Sequence, residues 1–77
     1  MNVTDFVLNA MKETLNTPVS IDQSFLVLGG ESFEASKIIG IINNHYHIKL
    51  KIKDIFDNEY IDKIIECVEL KVQEIKQ

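Results

Sequence analysis

The chain has 77 residues, a single cysteine and a formal net charge of −4, which leaves room for one small domain and excludes a disulfide framework. Its basic residues number eight and all are lysines, so a nucleic-acid partner, bound chiefly through Lys and Arg on phosphate, is not expected. MNVTDFVLNAM at the start has neither a basic leader nor a long apolar run, so neither a signal peptide nor a membrane span is predicted; with the lone Cys67, this suits a reducing, cytoplasmic compartment.

The first predicted helix runs from about Thr4 to Leu15, where Phe6, Val7, Ala10, Met11 and Leu15 recur at i, i+3 and i+4 spacing. Asn2 or Thr4 can cap it, and Asn16-Thr17-Pro18 ends it. Pro18 opens a long connection through about Glu31, in which Ile21, Phe25, Leu26 and Leu28 are expected to pin the chain to the helices. The second helix covers about Ser32 to Tyr46, with Ala35, Ile38, Ile39, Ile42 and Tyr46 as its buried stripe. "IKLKI", from Ile48 to Ile52, alternates like a strand but has no partner strand, so an extended connector is predicted. A short helix from about Lys53 to Asp57 brings Ile55 and Phe56 inward. The last, about Glu59 to Ile75, buries Ile61, Ile64, Ile65, Val68, Val72 and Ile75, with Cys67 as a small buried side chain beside them. The fold class is all-α: a small four-helix bundle, three longer helices and one short, with a long loop between the first two.

The loop ends in Leu28-Gly29-Gly30-Glu31-Ser32-Phe33, and the serine at the mouth of an apolar helix is its most informative residue. A catalytic serine needs a base within hydrogen-bond reach. The only histidines, His45 and His47, lie at the far end of the same helix, on the order of 20 Å away at 1.5 Å rise per residue. No hydrolase triad is available. Nor do the two histidines make a metal site, since i, i+2 spacing at a helix end turns the imidazoles apart; they suit the negative end of the helix dipole. Ser32 can instead be a plain capping residue, although a capping box from it would want Glu or Gln where Ala35 stands. Its position also suits an added phosphate group, because the first turn of a helix offers unpaired N–H groups and positive partial charge.

From Asp22 to Ile64 the chain resembles acyl and peptidyl carrier proteins. Asp22, Phe25 and Leu26 precede Leu28-Gly29-Gly30-Glu31-Ser32, and then Phe33, Ala35, Ile38, Ile39 and Ile42 follow in the family's register, with Ile48, Leu50, Ile55-Phe56, Ile61 and Ile64 beyond. A bare Gly-Gly-x-Ser is weak; the same tetrapeptide in register with the whole downstream stripe is a strong match. The resemblance implies that Ser32 receives 4′-phosphopantetheine from coenzyme A through a separate Mg²⁺-dependent phosphopantetheinyl transferase. The arm then holds an acyl or aminoacyl group as a thioester, and the chain, a carrier rather than an enzyme, catalyses nothing itself. The implied partners are that transferase, an adenylating or acyl-transferring loading enzyme, and downstream condensing, modifying or releasing enzymes. Gly30, Glu31, Phe33, Lys37 and Ile41 are the expected partner contacts.

Several positions depart from the family's common residues. Glu31 stands where peptidyl carriers often have Asp or His, Phe33 replaces Leu, Glu59-Tyr60 replaces Pro-Thr, and Lys51 replaces a proline of the connector. Beyond Glu34 the second helix reads Ala-Ser-Lys-Ile-Ile-Gly-Ile-Ile-Asn-Asn, without the acidic run typical of fatty-acid carriers. The expectation is therefore a monomeric, free-standing peptidyl carrier spanning 1–77 as a single carrier domain, in nonribosomal peptide-type or hybrid biosynthesis. A discrete acyl carrier for fatty-acid or polyketide-type synthesis is the nearest alternative. A carrier-like interaction module without a prosthetic group is the alternative from another class.

Overall fold

The computed structural model describes residues 1–76, and they form four helices: α1 (Val3–Leu15), α2 (Ser32–Tyr46), α3 (Ile52–Phe56) and α4 (Ile61–Lys76). Each helix starts where a polar group is available to take its unpaired N–H groups. Asn2 caps α1, its Oδ1 accepting from the Asp5 N–H at 2.8 Å. The Lys51 N–H at the mouth of α3 donates to Asp54 Oδ2 at 2.8 Å. Both α1 and α2 end on residues in the left-handed region, Asn16 at φ 54° and His47 at φ 57°, a common helix stop.

The apolar stripes meet as their spacing requires. Val7, Ala10 and Met11 of α1, Ala35, Ile38 and Ile42 of α2, Ile55 of α3, and Ile61, Ile64, Ile65, Val68 and Val72 of α4 are all buried. Phe6, Leu15, Ile39, Tyr46 and Cys67 are half-buried at the margin of this core. Helix α1 packs on α2 and α4, while α3 packs on both α2 and α4. Ile75 was expected inside, yet it is 56% exposed, lining an open groove with His47, Ile48 and Lys49 rather than the core.

Two connections carry more structure than their residue types suggest. The connector between α2 and α3 forms neither helix nor strand, with Ile48 and Leu50 buried. In place of a partner strand it has Asn43, whose Nδ2 donates to the Leu50 carbonyl at 3.0 Å and whose Oδ1 accepts from the Leu50 N–H at 2.8 Å. Asn43→Ala removes both bonds, and at about 1 kcal/mol each the expected loss is about 2 kcal/mol. Urea denaturation of the pure protein measures it, and a midpoint unchanged from wild type would mean that water replaces the amide.

The long loop is tied to the segment just before α4. The Phe25 N–H donates to the Glu59 carbonyl (3.2 Å), the Ile61 N–H to Gln23 (3.0 Å) and the Asp62 N–H to Ile21 (2.9 Å). Ser24 and Tyr60 form an isolated antiparallel bridge there. These pairings displace the start of α4 from the expected Glu59 to Ile61, since Glu59 and Tyr60 are held extended against the loop. In exchange, loop carbonyls satisfy N–H groups at the mouth of α4 that no helix residue can reach. The loop is pinned by Val19 and Phe25, at 5% and 1% exposure, whereas Ile21 and Leu26 lie outside. The chain turns tightly from Ser24 to Gly30 (Leu28 N–H to Ser24, Gly29 N–H to Leu26, Gly30 N–H to Phe25), and within that turn Ser24, Phe25 and Gly30 are buried while Leu26 and Val27 are exposed.

Candidate functional site

The last turn of the loop delivers Ser32 to the surface as the first residue of α2, exposed to solvent. Its neighbours explain the local backbone. Gly29 adopts φ +95° with open space around it, so its role is conformational. Gly30 serves packing: it is buried, and a Cβ there would run into the ring of Phe25. The two glycines thus have different tasks.

Capping falls to Glu31, the residue before the serine. Glu31 is extended (φ −119°, ψ −176°) and its N–H donates to Glu34 Oε1 at 3.1 Å. A box sought from Ser32 finds only Ala35, but the pattern sits one residue earlier, with Glu34 three residues beyond Glu31. That leaves the Ser32 hydroxyl outside the capping role. It lies in the first turn, where the helix offers free N–H groups and a positive dipole end to an anion.

Of the expected contact residues, Glu31, Phe33, Lys37 and Ile41 are exposed, while Gly30 is buried under the loop and presents no side chain. Phe33 is 71% exposed and Ile41 39%. The Lys37 ammonium lies over the Phe33 ring, 5.5 Å from its centroid. Phe33, Lys37 and Ile41 follow at i, i+4 and i+8, so they form one outward stripe that starts beside Ser32.

His45 and His47 play no joint part. His47 ends α2 in the left-handed conformation, and the His45 ring stacks on Phe6 of α1 at 4.0 Å with an interplanar angle of 16°. Among the described residues there is no cluster of His, Cys, Asp and Glu able to hold a metal ion. Burial pushes the Cys67 thiol up from its ordinary range, which makes it a poor nucleophile. No helix among the described residues is long and apolar enough to cross a membrane.

A second feature adjoins the loop. Phe25, Leu26, Ile55, Phe56, Asn58 and Glu59 line an open cleft of about 240 Å³ between the loop and the α3–α4 junction. Phe25 meets Phe56 edge-on at 6.3 Å. Sequence reading could not assemble it, because its two walls are some thirty residues apart in the chain.

Comparison with known proteins points the same way as the geometry. The family model described as a phosphopantetheine attachment site matches residues 5–68. A beauvericin nonribosomal cyclodepsipeptide synthetase of Gibberella fujikuroi is 36% identical over 45 residues, covering 58% of this chain and 1% of the synthetase. A nonribosomal peptide synthetase of Aspergillus flavus is 39% identical over 51 residues, covering 66% of this chain and 1% of its own length. The chain thus spans about 1% of the length of these curated relatives. No solved structure matches.

Proposed function

The chain belongs to the phosphopantetheine attachment family, whose domains carry 4′-phosphopantetheine covalently, and on that premise we propose that Ser32 is the attachment residue of a peptidyl carrier. The observation that carries the reading is the position of Ser32: exposed in the first turn of α2, relieved of capping by Glu31, behind a loop fixed by Gly29 and Gly30. The residues present fit the group. A phosphodiester on Ser32 meets the unpaired N–H groups and positive end of α2, and the exposed hydroxyl leaves room for another protein's active site.

In the transfer, the Ser32 oxygen forms the new bond to phosphorus as the bond to the nucleotide part of coenzyme A breaks. The hydroxyl proton goes to the transferase, since His45 and His47 both lie at the other end of α2 from Ser32. Once bound, the arm supplies a terminal thiol that holds an acyl or aminoacyl group as a thioester. The chain's own residues then fix the arm's origin on a rigid helix end and offer Phe33, Lys37 and Ile41 to the enzymes that load and unload it. It acts as their substrate.

The peptidyl assignment is favoured over a fatty-acid or polyketide carrier by the apolar, nearly neutral stripe on α2, which suits partners that dock by apolar contact. The similarity to two nonribosomal synthetases supports the same choice. The test is intact mass after incubation with coenzyme A, Mg²⁺ and a broad-specificity phosphopantetheinyl transferase, followed by peptide mapping. One phosphopantetheine increment on the peptide holding Ser32 supports the reading; no increment on folded protein favours a carrier-like interaction module.

The stripe itself yields a second expectation. Ile41→Asp places a charge where a partner expects a hydrocarbon, and loss of one interface anchor of about 1–2 kcal/mol slows loading by a cognate adenylating enzyme about tenfold. Ile41 is exposed, so circular dichroism should show an intact fold. Loading at the wild-type rate would remove Ile41 from the docking surface.

A further inference from the structure

Charge is divided unevenly along this chain. Between Glu34 and Asp54 lie four of the eight lysines and no acidic residue, so that segment carries +4 with its histidines neutral and the rest of the chain −8. Three of those lysines stand where the chain leaves α2 and enters α3. Burial alternates there: Ile48 and Leu50 turn inward, while His47, Lys49 and Lys51 are exposed. Lys53 follows them but is held by Asp57 at 2.7 Å. Among the described residues Lys49 and Lys51 join no ion pair. Asp54, the next acid in the chain, is already engaged by the Lys51 N–H at 2.8 Å and the Lys71 ammonium at 3.7 Å. Leu50, between the two free lysines, is fixed through its N–H and its carbonyl by Asn43. The cationic ridge therefore stands on a backbone that is held in place.

The ridge borders a groove of about 260 Å³ lined by His47, Ile48, Lys49, Lys71, Glu74 and Ile75. Ile75 gives it an apolar wall open to water, and Lys49 gives it an unpaired cation. Glu74 is the one acid in the lining and joins no ion pair among the described residues. Ammonium groups beside an apolar wall are complementary to a chain that sets carboxylates next to a hydrocarbon side chain. We propose that this ridge and groove dock an acidic, leucine- or phenylalanine-bearing segment of a partner protein, its carboxylates against Lys49 and Lys51 and its apolar side chain against Ile75. Charge argues for that occupant. A lipid bilayer or a nucleic acid presents anions over a wide area to a chain whose net charge is −4, which repels them. A short segment meets the ridge alone. His47 ends α2 and Ser32 begins it, which puts the two on the order of 20 Å apart at 1.5 Å rise per residue. The site asks nothing of Ser32, and a partner held there leaves the attachment end free, so the surface suits a tether and not an enzyme that acts on the arm.

The experiment titrates the full ¹⁵N-labelled chain at low salt with synthetic nonapeptides: a Glu-Asp-Leu repeat, a Lys-Lys-Leu repeat and a Glu-Asp-Ser repeat. The Glu-Asp-Leu peptide is expected to give saturable shifts at His47, Lys49, Lys51, Lys71 and Ile75, with Ser32 and Phe33 unmoved. Raising the salt to about 0.5 M should weaken it several-fold, since exposed charges are screened. The Lys-Lys-Leu peptide should leave the spectrum unchanged, and the Glu-Asp-Ser peptide should bind more weakly. Lys49→Glu combined with Lys51→Glu is expected to cut affinity about tenfold or more, each exposed pair being worth up to about fivefold. Lys12→Glu combined with Lys63→Glu changes the net charge equally at positions off the ridge and should cost little. Glu74→Gln should tighten binding about twofold by removing a like charge. All five positions are exposed, and circular dichroism checks each fold. Equal loss from the two lysine pairs would reduce the effect to net charge and overturn the site. Equal binding of the Glu-Asp-Ser peptide would overturn the part given to Ile75. Shifts centred on Phe33 and Ile41, or none that saturate, would overturn the docking surface. Sedimentation with phosphatidylserine vesicles in place of peptide binding would assign the ridge to a lipid surface and overturn the proposal as well.

Discussion

Ser32→Ala is expected to take phosphopantetheine incorporation from one group per chain to none while leaving the fold untouched. The hydroxyl oxygen is the only atom lost, and it is the atom that bonds to phosphorus in the proposed transfer. The two roles open to this serine predict opposite stability results. If Ser32 capped α2, its replacement by alanine would cost about 1 kcal/mol and lower the melting temperature by about 4–8 °C in a domain of this size. With Glu31 as the cap, and its N–H bound to Glu34 at 3.1 Å, the melting temperature should stay within a degree or two of wild type. Intact mass and a thermal scan on the same two proteins therefore separate attachment from capping. Persistent labelling of the alanine variant would move the attachment to another residue. A large fall in melting temperature would return Ser32 to a structural role.

The second large effect lies beneath the serine. Phe25 is 1% exposed, closes the core under the loop and meets Phe56 edge-on at 6.3 Å. Phe25→Ala is expected to cost about 3–5 kcal/mol, the usual range for emptying a buried aromatic site. A 77-residue domain has roughly 4–12 kcal/mol of stability in all, so the variant sits near the edge of unfolding, and the loop should loosen before the helices do. Gly30→Ala should cost about 1–3 kcal/mol by overpacking, since its Cβ would run into the Phe25 ring. The two costs are not additive. Once the ring is gone the extra methyl has space, so Gly30→Ala in the Phe25→Ala background should cost little, a coupling that a double-mutant cycle reads directly. Additive costs would mean that Gly30 is needed for its backbone and not for its contact with Phe25.

The helices were legible in the sequence because each buries a stripe at 3.6-residue spacing, and a stripe is a local property of neighbouring residues. Val7, Ala10 and Met11, Ala35, Ile38 and Ile42, and the α4 run from Ile61 to Val72 all face inward as their spacing requires. Ser32 could be singled out for the same reason: the glycines before it, the helix after it and the distance to His45 are all short-range facts. Family membership was equally legible, since the motif and stripe share one register. The loop was not. Periodicity is silent in irregular backbone, so Ile21 and Val19 could not be told apart until the chain was folded, and the turn that buries Phe25 leaves Leu26 outside.

The sequence alone determined an all-α bundle, its helix order and the serine at the mouth of its second helix. Tertiary structure decided where α4 begins, because the hydrogen bonds of Glu59 and Ile61 go to the loop rather than along the helix. It also decided that Glu31, and not Ser32, caps α2, a matter of backbone angle that residue type leaves open. The cleft joining Leu26 to Glu59 likewise exists only after folding, for pairing between distant segments is a choice of the whole chain.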